Sequence, residues 1–396
     1  MHFKLTSDDL AFRDGLRAWL ARHWQEDWAR MRRRFPSQDE MFVFLREWQR
    51  RLFDAGYVGL SWPREYGGQG ATIMQQAIFY EEIARARAPE LPNVIGLDMA
   101  GPALITHGTE AQKQKHLRRI LSGEQIFCQG FSEPNAGSDV AALQMRAVRE
   151  DDHFVVDGQK VWTTYAQYAD WCILLARTDP AVPKHKGLTF FLVDMHAPGV
   201  TVRPLRQISG EPEFNEMFFD HVRVPAENVV GRVNGGWGVA ITTLMFERGP
   251  RTISRQLHLR HAIDAALELA RKTERGGAPA SADPVIRQRL AQLVIDTEAL
   301  RYSNLRALTR MLRGELPGAE GSAAKLFWSE AVQRALELML EIEGPYAQLT
   351  QGGERAVEDG YWQQRFLRSR GDTIAAGTSE INRNILAERV LGLPKD

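Results

Sequence analysis

The chain has 396 residues, 44% of them hydrophobic, with 50 basic and 50 acidic side chains and a formal net charge of zero. That length fits two or three domains or one large multilayer unit, and the apolar content argues against disorder. Balanced charge leaves no electrostatic footprint for nucleic acid, and no run of about 18 apolar residues is present to span a bilayer.

The N-terminal stretch SDDLAFRDGLRAWLARHW has apolar positions at helical spacing, with Ser7 as the expected N-cap. It lacks the apolar block of a signal peptide. The basic run Arg30, Arg32, Arg33, Arg34 reads as a solvated helix end. WPREYGGQGAT follows no strand, so its glycines mark a turn and not a dinucleotide fingerprint. Residues 1–125 therefore form a helical domain.

Residues 126–232 change period. HFVVDGQKVWTT places two apolar runs around Asp157-Gly158, a hairpin signal, and CILLAR, LTFFLVD, GVTVRPL and EMFFDHVRVP follow between turn residues. The expectation is an antiparallel β domain of six to eight strands. Cys128 and Cys172 lie in its apolar runs and read as reduced core residues of a cytoplasmic protein. From residue 233 to 396 the helical period returns. Leu290, Val294, Thr297, Leu300, Leu308 and Leu312 share a stripe, and a second long helix stops at Gly344, which together predict a helical bundle. Helices, then β, then helices make an α+β multidomain chain with a cleft where the β domain meets the bundles.

Few motifs carry chemistry by themselves. His258 and His261 form H-x-x-H without a third ligand and read as surface histidines, so no metal is expected. No G-x-S-x-G elbow and no C-x-x-C is present. CQGFSEPNAGSDVAAL, Cys128 to Leu143, opens as a strand; Pro134 and Gly137 then break it into a loop of small hydroxyls. Such a loop either caps a neighbour or binds something polar. Backbone N–H groups after Phe131, with the Ser132 and Ser138 hydroxyls, could hold a flat heterocycle and a phosphate. Trp162 and Thr164 share one face of a strand. Each alone reads as a core residue; together they would suit a flavin, with a ring cover and a hydroxyl donor.

With GFSEPNAGSDVAAL, GQKVWTTYAQYAD, FNEMFFDHVRVPAENVVG, LMFERG and AAGTSEINRNILAERVLGLP, the chain resembles the acyl-CoA dehydrogenases over essentially its whole length. The resemblance implies an N-terminal helical domain, a middle β domain, a C-terminal four-helix bundle, FAD as cofactor and an acyl-CoA substrate of lipid or steroid metabolism. Gln129, Phe131 and Ser132 would border the flavin, Ser138 would reach the pyrophosphate or the acyl-CoA, and Trp162 would stack near the ring with Thr164 at its reactive edge. Thr378 and Glu380 would touch FAD again. The implied reaction removes an α-proton to a carboxylate while the β-hydrogen leaves as hydride.

Many members place that carboxylate just before the Gly-Thr of the C-terminal motif, where this chain has Ala376. A methyl group cannot be a base, although the Ala376 backbone N–H, beside Gly377, would still hold the thioester oxygen. A subset resembling isovaleryl-CoA and long-chain enzymes puts the glutamate before an arginine on the first helix of the last domain, here Glu247 and Arg248. The half normally lent to a neighbour's AMP moiety is altered: Arg271 stays, but Glu274 replaces a phenylalanine, Pro284 a glutamine, and Glu341 and Pro345 enter the Gln-x-x-Gly-Gly turn. The implied partners are an electron-transferring flavoprotein and either copies of this chain, as dimer or tetramer, or a related chain in a hetero-oligomer. An acyl-CoA oxidase, a flavin monooxygenase and a non-catalytic partner subunit are the alternatives.

Overall fold

Thr6, not Ser7, caps the first helix. Its hydroxyl accepts the Asp9 N–H at 3.1 Å while the Asp9 carboxylate accepts the Thr6 N–H at 3.0 Å, a reciprocal box that Ser7, one position inside, cannot form. The computed structural model describes residues 4–246, 251–315 and 318–395. The first unit comprises α1 (Ser7–His23), α2 (Trp28–Met31), α3 (Gln38–Asp54), α4 (Ile73–Arg85), α5 (Gly101–His107) and α6 (Glu110–Ser122). In α3 the buried Met41, Phe42, Leu45, Trp48 and Leu52 recur at helical spacing, which lays one face on α6. Asn93 ties this helical unit to the β domain: fully buried, it donates to the carbonyls of Ile120 and Gln125 at 3.1 and 2.8 Å and accepts the Phe127 N–H at 3.0 Å.

A seven-stranded sheet forms the middle unit, with β1 (Phe127–Gly130), β2 (Arg146–Glu150), β3 (His153–Thr164), β4 (Trp171–Arg177), β5 (Leu188–Asp194), β6 (Val200–Leu205) and β7 (Phe214–Pro225). The order is β1-β4-β2-β3-β7-β6, with β5 also on β4. Most pairs are antiparallel, as expected, but β1 runs parallel to β4, and a single parallel pair, Arg146 with Arg177, joins β2 to β4. β4 and β5 are buried along nearly their whole length, consistent with their unbroken apolar runs. Cys128 and Cys172 are register partners on β1 and β4, buried and not disulfide-bonded.

The Asp157-Gly158 pair makes no hairpin. β3 runs straight through it for 12 residues because β2 flanks its first half and β7 its whole length. Gly158 instead takes φ +145° at a bulge, where pairing steps from Val156–Val222 to Gly158–Phe219. Asp157 accepts the His221 N–H across that bulge at 2.8 Å.

The last unit holds α7 (Gly236–Phe246), α8 (Thr252–Lys272), α9 (Pro284–Leu312), α10 (Glu320–Glu343), α11 (Tyr361–Ser369) and α12 (Ser379–Arg389). α8, α9 and α10 pack pairwise around Leu259, Ile263, Leu290, Leu300, Leu336 and Met339, and α11 and α12 flank α10. The expected α9 stripe is buried at Leu290, Thr297, Leu300 and Leu308, whereas Leu312 is exposed. At 29 residues α9 outruns the 21 of α8, and its last turn has less to cover it. Among the described residues no helix is long and apolar enough to cross a membrane.

The basic run is only partly solvated, contrary to expectation. Arg32 pairs with Glu211 of the β domain at 2.6 Å, and Arg33 donates to the Glu358 carbonyl at 2.7 Å and pairs with Asp359 at 3.2 Å, both just before α11. Long guanidinium arms reach across two boundaries, so this run clamps all three units together.

Candidate functional site

The loop after β1 is braced from below. Lys160, fully buried, donates to the Phe131 carbonyl at 3.0 Å and to the Glu133 carboxylate at 2.9 Å. Glu133 in turn accepts the N–H groups of Gln144 and Met145 at 2.7 and 2.9 Å. The Glu133 and Ala136 backbones exchange two hydrogen bonds of 3.0 Å around Pro134-Asn135, and the Ser132 carbonyl accepts the Val161 N–H at 2.9 Å. Phe131 is buried edge-on to Phe190, while Gln129 and Ser132 are half-buried and Ser138 is exposed. Of the two roles open to the loop, capping finds no support: neither the Ser132 nor the Ser138 hydroxyl bonds to a described residue.

Lys160 is the residue that sequence reading missed, although a signal was there. Phe154, Val156 and Lys160 share one parity along β3, and all three are buried. Burial pushes the lysine down to about 8, against the opposing pull of Glu133. We expect Glu133→Gln to destabilise the fold by about 3–5 kcal/mol, since it strands a buried charge, and adding Lys160→Met to recover much of that. A free lysine titrates near 10.4. The folded chain releases this proton first, so stability relative to the double variant should rise as pH climbs from about 8 to about 10.4. Denaturant titrations at several pH values, with flavin retention read in parallel, check both statements.

Beyond Lys160 the pairing steps from Lys160–Met217 to Thr163–Asn215, and Val161 and Trp162 occupy the skipped positions. The Trp162 φ is +62°, an outlier for a bulky side chain, and 61% of the residue is exposed. Thr163 is buried and Thr164 half-buried beside the exposed Trp162. The indole meets the Phe214 ring edge-on at 6.2 Å.

Phe214 links this wall to the last unit. The Arg368 guanidinium lies 5.6 Å from its ring, pairs with Glu213 at 2.6 Å and reaches Asp372 at 3.5 Å. The exposed segment 374–377 follows. Ala376 and Gly377 take φ +54° and +84°, and the Ala376 N–H has no partner among the described residues. Gly377 offers its carbonyl inward, to Lys325 at 2.7 Å and Asn382 at 2.8 Å, which fixes the turn. The Thr378 hydroxyl accepts the Ile381 N–H at 3.2 Å and caps α12. Beside it runs an open groove of about 550 Å³ walled by Glu330, Gln333, Arg334, Thr378, Glu380 and Arg383. Its floor contains the buried, unpartnered Ser379 hydroxyl. Glu380 is held below the usual carboxylate range by its own backbone N–H and by the Thr378 hydroxyl.

The structure thus links Phe131, Ser132, Trp162 and Thr164, and joins them through Phe214 and Arg368 to the segment bearing Ala376, Gly377, Thr378 and Glu380. An exposed tryptophan, unengaged serine hydroxyls, an unpaired backbone N–H and a helix N-terminus in a polar groove fit a planar heteroaromatic ring with a phosphate-bearing tail. Arg271 is not brought in; it is exposed on the last turn of α8. Glu247 and Arg248 lie outside the described residues. The helix leading to them, α7, packs on α5 and β5, with Thr242 bonded to His107 at 2.8 Å. H-x-x-H falls on α8 with His258 exposed and His261 half-buried, where burial pushes the His261 imidazole down to about 4.

Family models for the acyl-CoA dehydrogenase N-terminal, middle and C-terminal domains match residues 6–124, 128–222 and 234–391. "Acyl-CoA dehydrogenase IpdE1" of Mycobacterium tuberculosis is 40% identical over 387 residues, covering 97% of this chain and 98% of that protein. Among solved structures, the "Tcur3481-Tcur3483 steroid ACAD" matches with a TM-score of 0.86 at 32% identity, covering all of both chains. The ChsE4-ChsE5 complex of Mycobacterium tuberculosis matches with a TM-score of 0.84 at 31% identity, again covering all of both chains.

Proposed function

Because the chain belongs to the acyl-CoA dehydrogenase family, we propose that it oxidises an acyl-CoA thioester at the α and β carbons with FAD held against Trp162. The observation that carries this reading is the strained, exposed Trp162 beside Thr164, on a strand that Lys160 ties to the loop of Ser132. Bound FAD supplies the acceptor for the β-hydrogen as hydride. Glu247 takes the α-proton, and the unpaired Ala376 N–H, aimed by the Lys325 and Asn382 bonds to the neighbouring carbonyl, holds the thioester oxygen as it gains charge. Gln129, Phe131 and Ser132 line the flavin, Ser138 reaches pyrophosphate or CoA, and Arg248 and Gly377 line the acyl end. Thr378 and Glu380 border the adenosine half in the groove.

The similarity to a steroid ACAD favours a lipid- or steroid-derived acyl group, and an electron-transferring flavoprotein as acceptor in the cytoplasm completes the reading. The test is to purify the assembly, identify its flavin and add a panel of CoA esters without oxygen. Bleaching of the flavin absorbance by at least one ester is expected; an assembly with no flavin and no bleaching overturns the proposal. Slow reoxidation of the reduced assembly by oxygen, against fast reoxidation by a dye, separates a dehydrogenase from an oxidase or monooxygenase.

A further inference from the structure

A second cavity, of about 60 Å³, lies between α4, the segment 89–98 and the start of α8. One water needs roughly 10–15 Å³ by the same measure, so there is room for a substituent. Its sides are apolar, formed by Trp62, Phe79, Ile83 and Leu97, and the Trp62 indole N–H is tied to the Leu97 carbonyl at 3.2 Å. Its end is polar. Arg251 pairs there with Glu90 and, at 3.2 Å, with Asp98. The Tyr80 hydroxyl lines the same end and bonds to no described residue. Asp98 sits in a π turn, Gly96–Ala100, which leads directly into α5. Such turns are rare and frequent at functional sites.

We propose that this cavity takes the far end of the acyl group and selects an apolar body that terminates in a hydroxyl or keto oxygen. The inference rests on the acyl-CoA reading of the flavin site. Two links join the two readings: Arg251 stands four positions after Glu247 in the sequence, and α5, which follows the turn bearing Asp98, packs on α7.

The charge balance decides the chemistry. Burial pushes Glu90 up, but Arg251 and His258 more than offset it and hold the carboxylate down at about 2. One cation is therefore already matched by Glu90, with Asp98 also at hand. A substrate carboxylate would bring a further negative charge to two resident acids. An alkyl end would leave the Tyr80 hydroxyl buried without returning a hydrogen bond, and such sites discriminate strongly against the group they cannot pair. A keto oxygen accepts from the Tyr80 hydroxyl. A hydroxyl accepts from Tyr80 and donates to Asp98.

The test measures dissociation constants by calorimetry on the purified flavin-bearing assembly, this chain together with any partner chain its FAD requires. Four CoA esters of matched size are compared, ending in methyl, hydroxyl, ketone and carboxylate. The hydroxyl and keto esters should bind about tenfold tighter than the methyl ester. Tyr80→Phe should bring that ratio towards one, and using a ratio cancels any loss common to all esters. Asp98→Asn should raise carboxylate binding relative to hydroxyl, because Arg251 loses one of its two acids; a purely structural role for Asp98 would not shift that preference. Equal affinities in the unmodified chain, a preference for the carboxylate, or ratios unmoved by both substitutions overturn the proposal. Flavin bleaching with the tightest ester, run alongside, reports separately on the dehydrogenation reading.

Discussion

Glu247→Gln should leave acyl-CoA and FAD bound and cut turnover by about 10²–10⁴-fold, the usual worth of a positioned general base. Glutamine keeps the size and hydrogen bonding of glutamate and loses only proton affinity. The usual alternative position is ruled out by chemistry: Ala376 carries a methyl group, and it is exposed in a turn held by Lys325 and Asn382. Glu247 follows directly on α7, which packs on α5 and β5. Single-turnover flavin reduction after mixing with substrate is the measurement, because it reports the chemical step apart from product release. Near-normal reduction would overturn the assignment. Restoring a carboxylate at the other position, Ala376→Glu in the Glu247→Gln background, should recover part of the rate, since both positions would face the same pair of carbons.

The architecture was legible in the sequence because period changes mark it. The stripe of α9 and the unbroken apolar runs of β4 and β5 report burial directly. What escaped was set by tertiary partners. Asp157-Gly158 has the composition of a two-residue turn, but strands on both sides of β3 outweigh it and turn the glycine into a bulge. Arg32 and Arg33 look solvated until Glu211 and Asp359, distant in sequence, are placed beside them. In the site, Trp162 and Thr164 could be picked out by type and spacing. The bulge that exposes Trp162 could not, because it depends on register with β7. Arg368, which joins the two walls through Phe214, has no motif of its own.

Expressed alone, this chain should carry well under one FAD per subunit, and co-expression with a related chain should restore flavin and turnover together. The reason is an asymmetry between the two faces that a homo-oligomer would need. The flavin-facing side keeps the Ser132 and Ser138 hydroxyls and the exposed Trp162 indole unengaged. The side that the family resemblance assigns to a neighbour's AMP half is occupied by internal bonds. Glu341 is tied to Arg289, and its carbonyl accepts from Arg275. Arg275 itself sits with Glu274 in a small hairpin against Ala278–Pro279. Glu343 is buried against Gln363 at 2.5 Å, and burial pushes its carboxyl up to about 7. Glu274 and Glu341 would repel phosphate, while Arg271, exposed at the end of α8, is left to attract it. A partner with intact AMP-binding residues would remove the conflict by lending them to this chain's FAD and receiving none, giving one FAD per heterodimer. Two of the solved structures most like this chain are named as pairs, Tcur3481-Tcur3483 and ChsE4-ChsE5. The measurement is flavin absorbance per chain, with mass determination by light scattering, for this chain alone and co-expressed. Near-stoichiometric FAD and full turnover from this chain alone would rule out an obligate partner and assign the AMP contacts to Arg271 and its substituted neighbours.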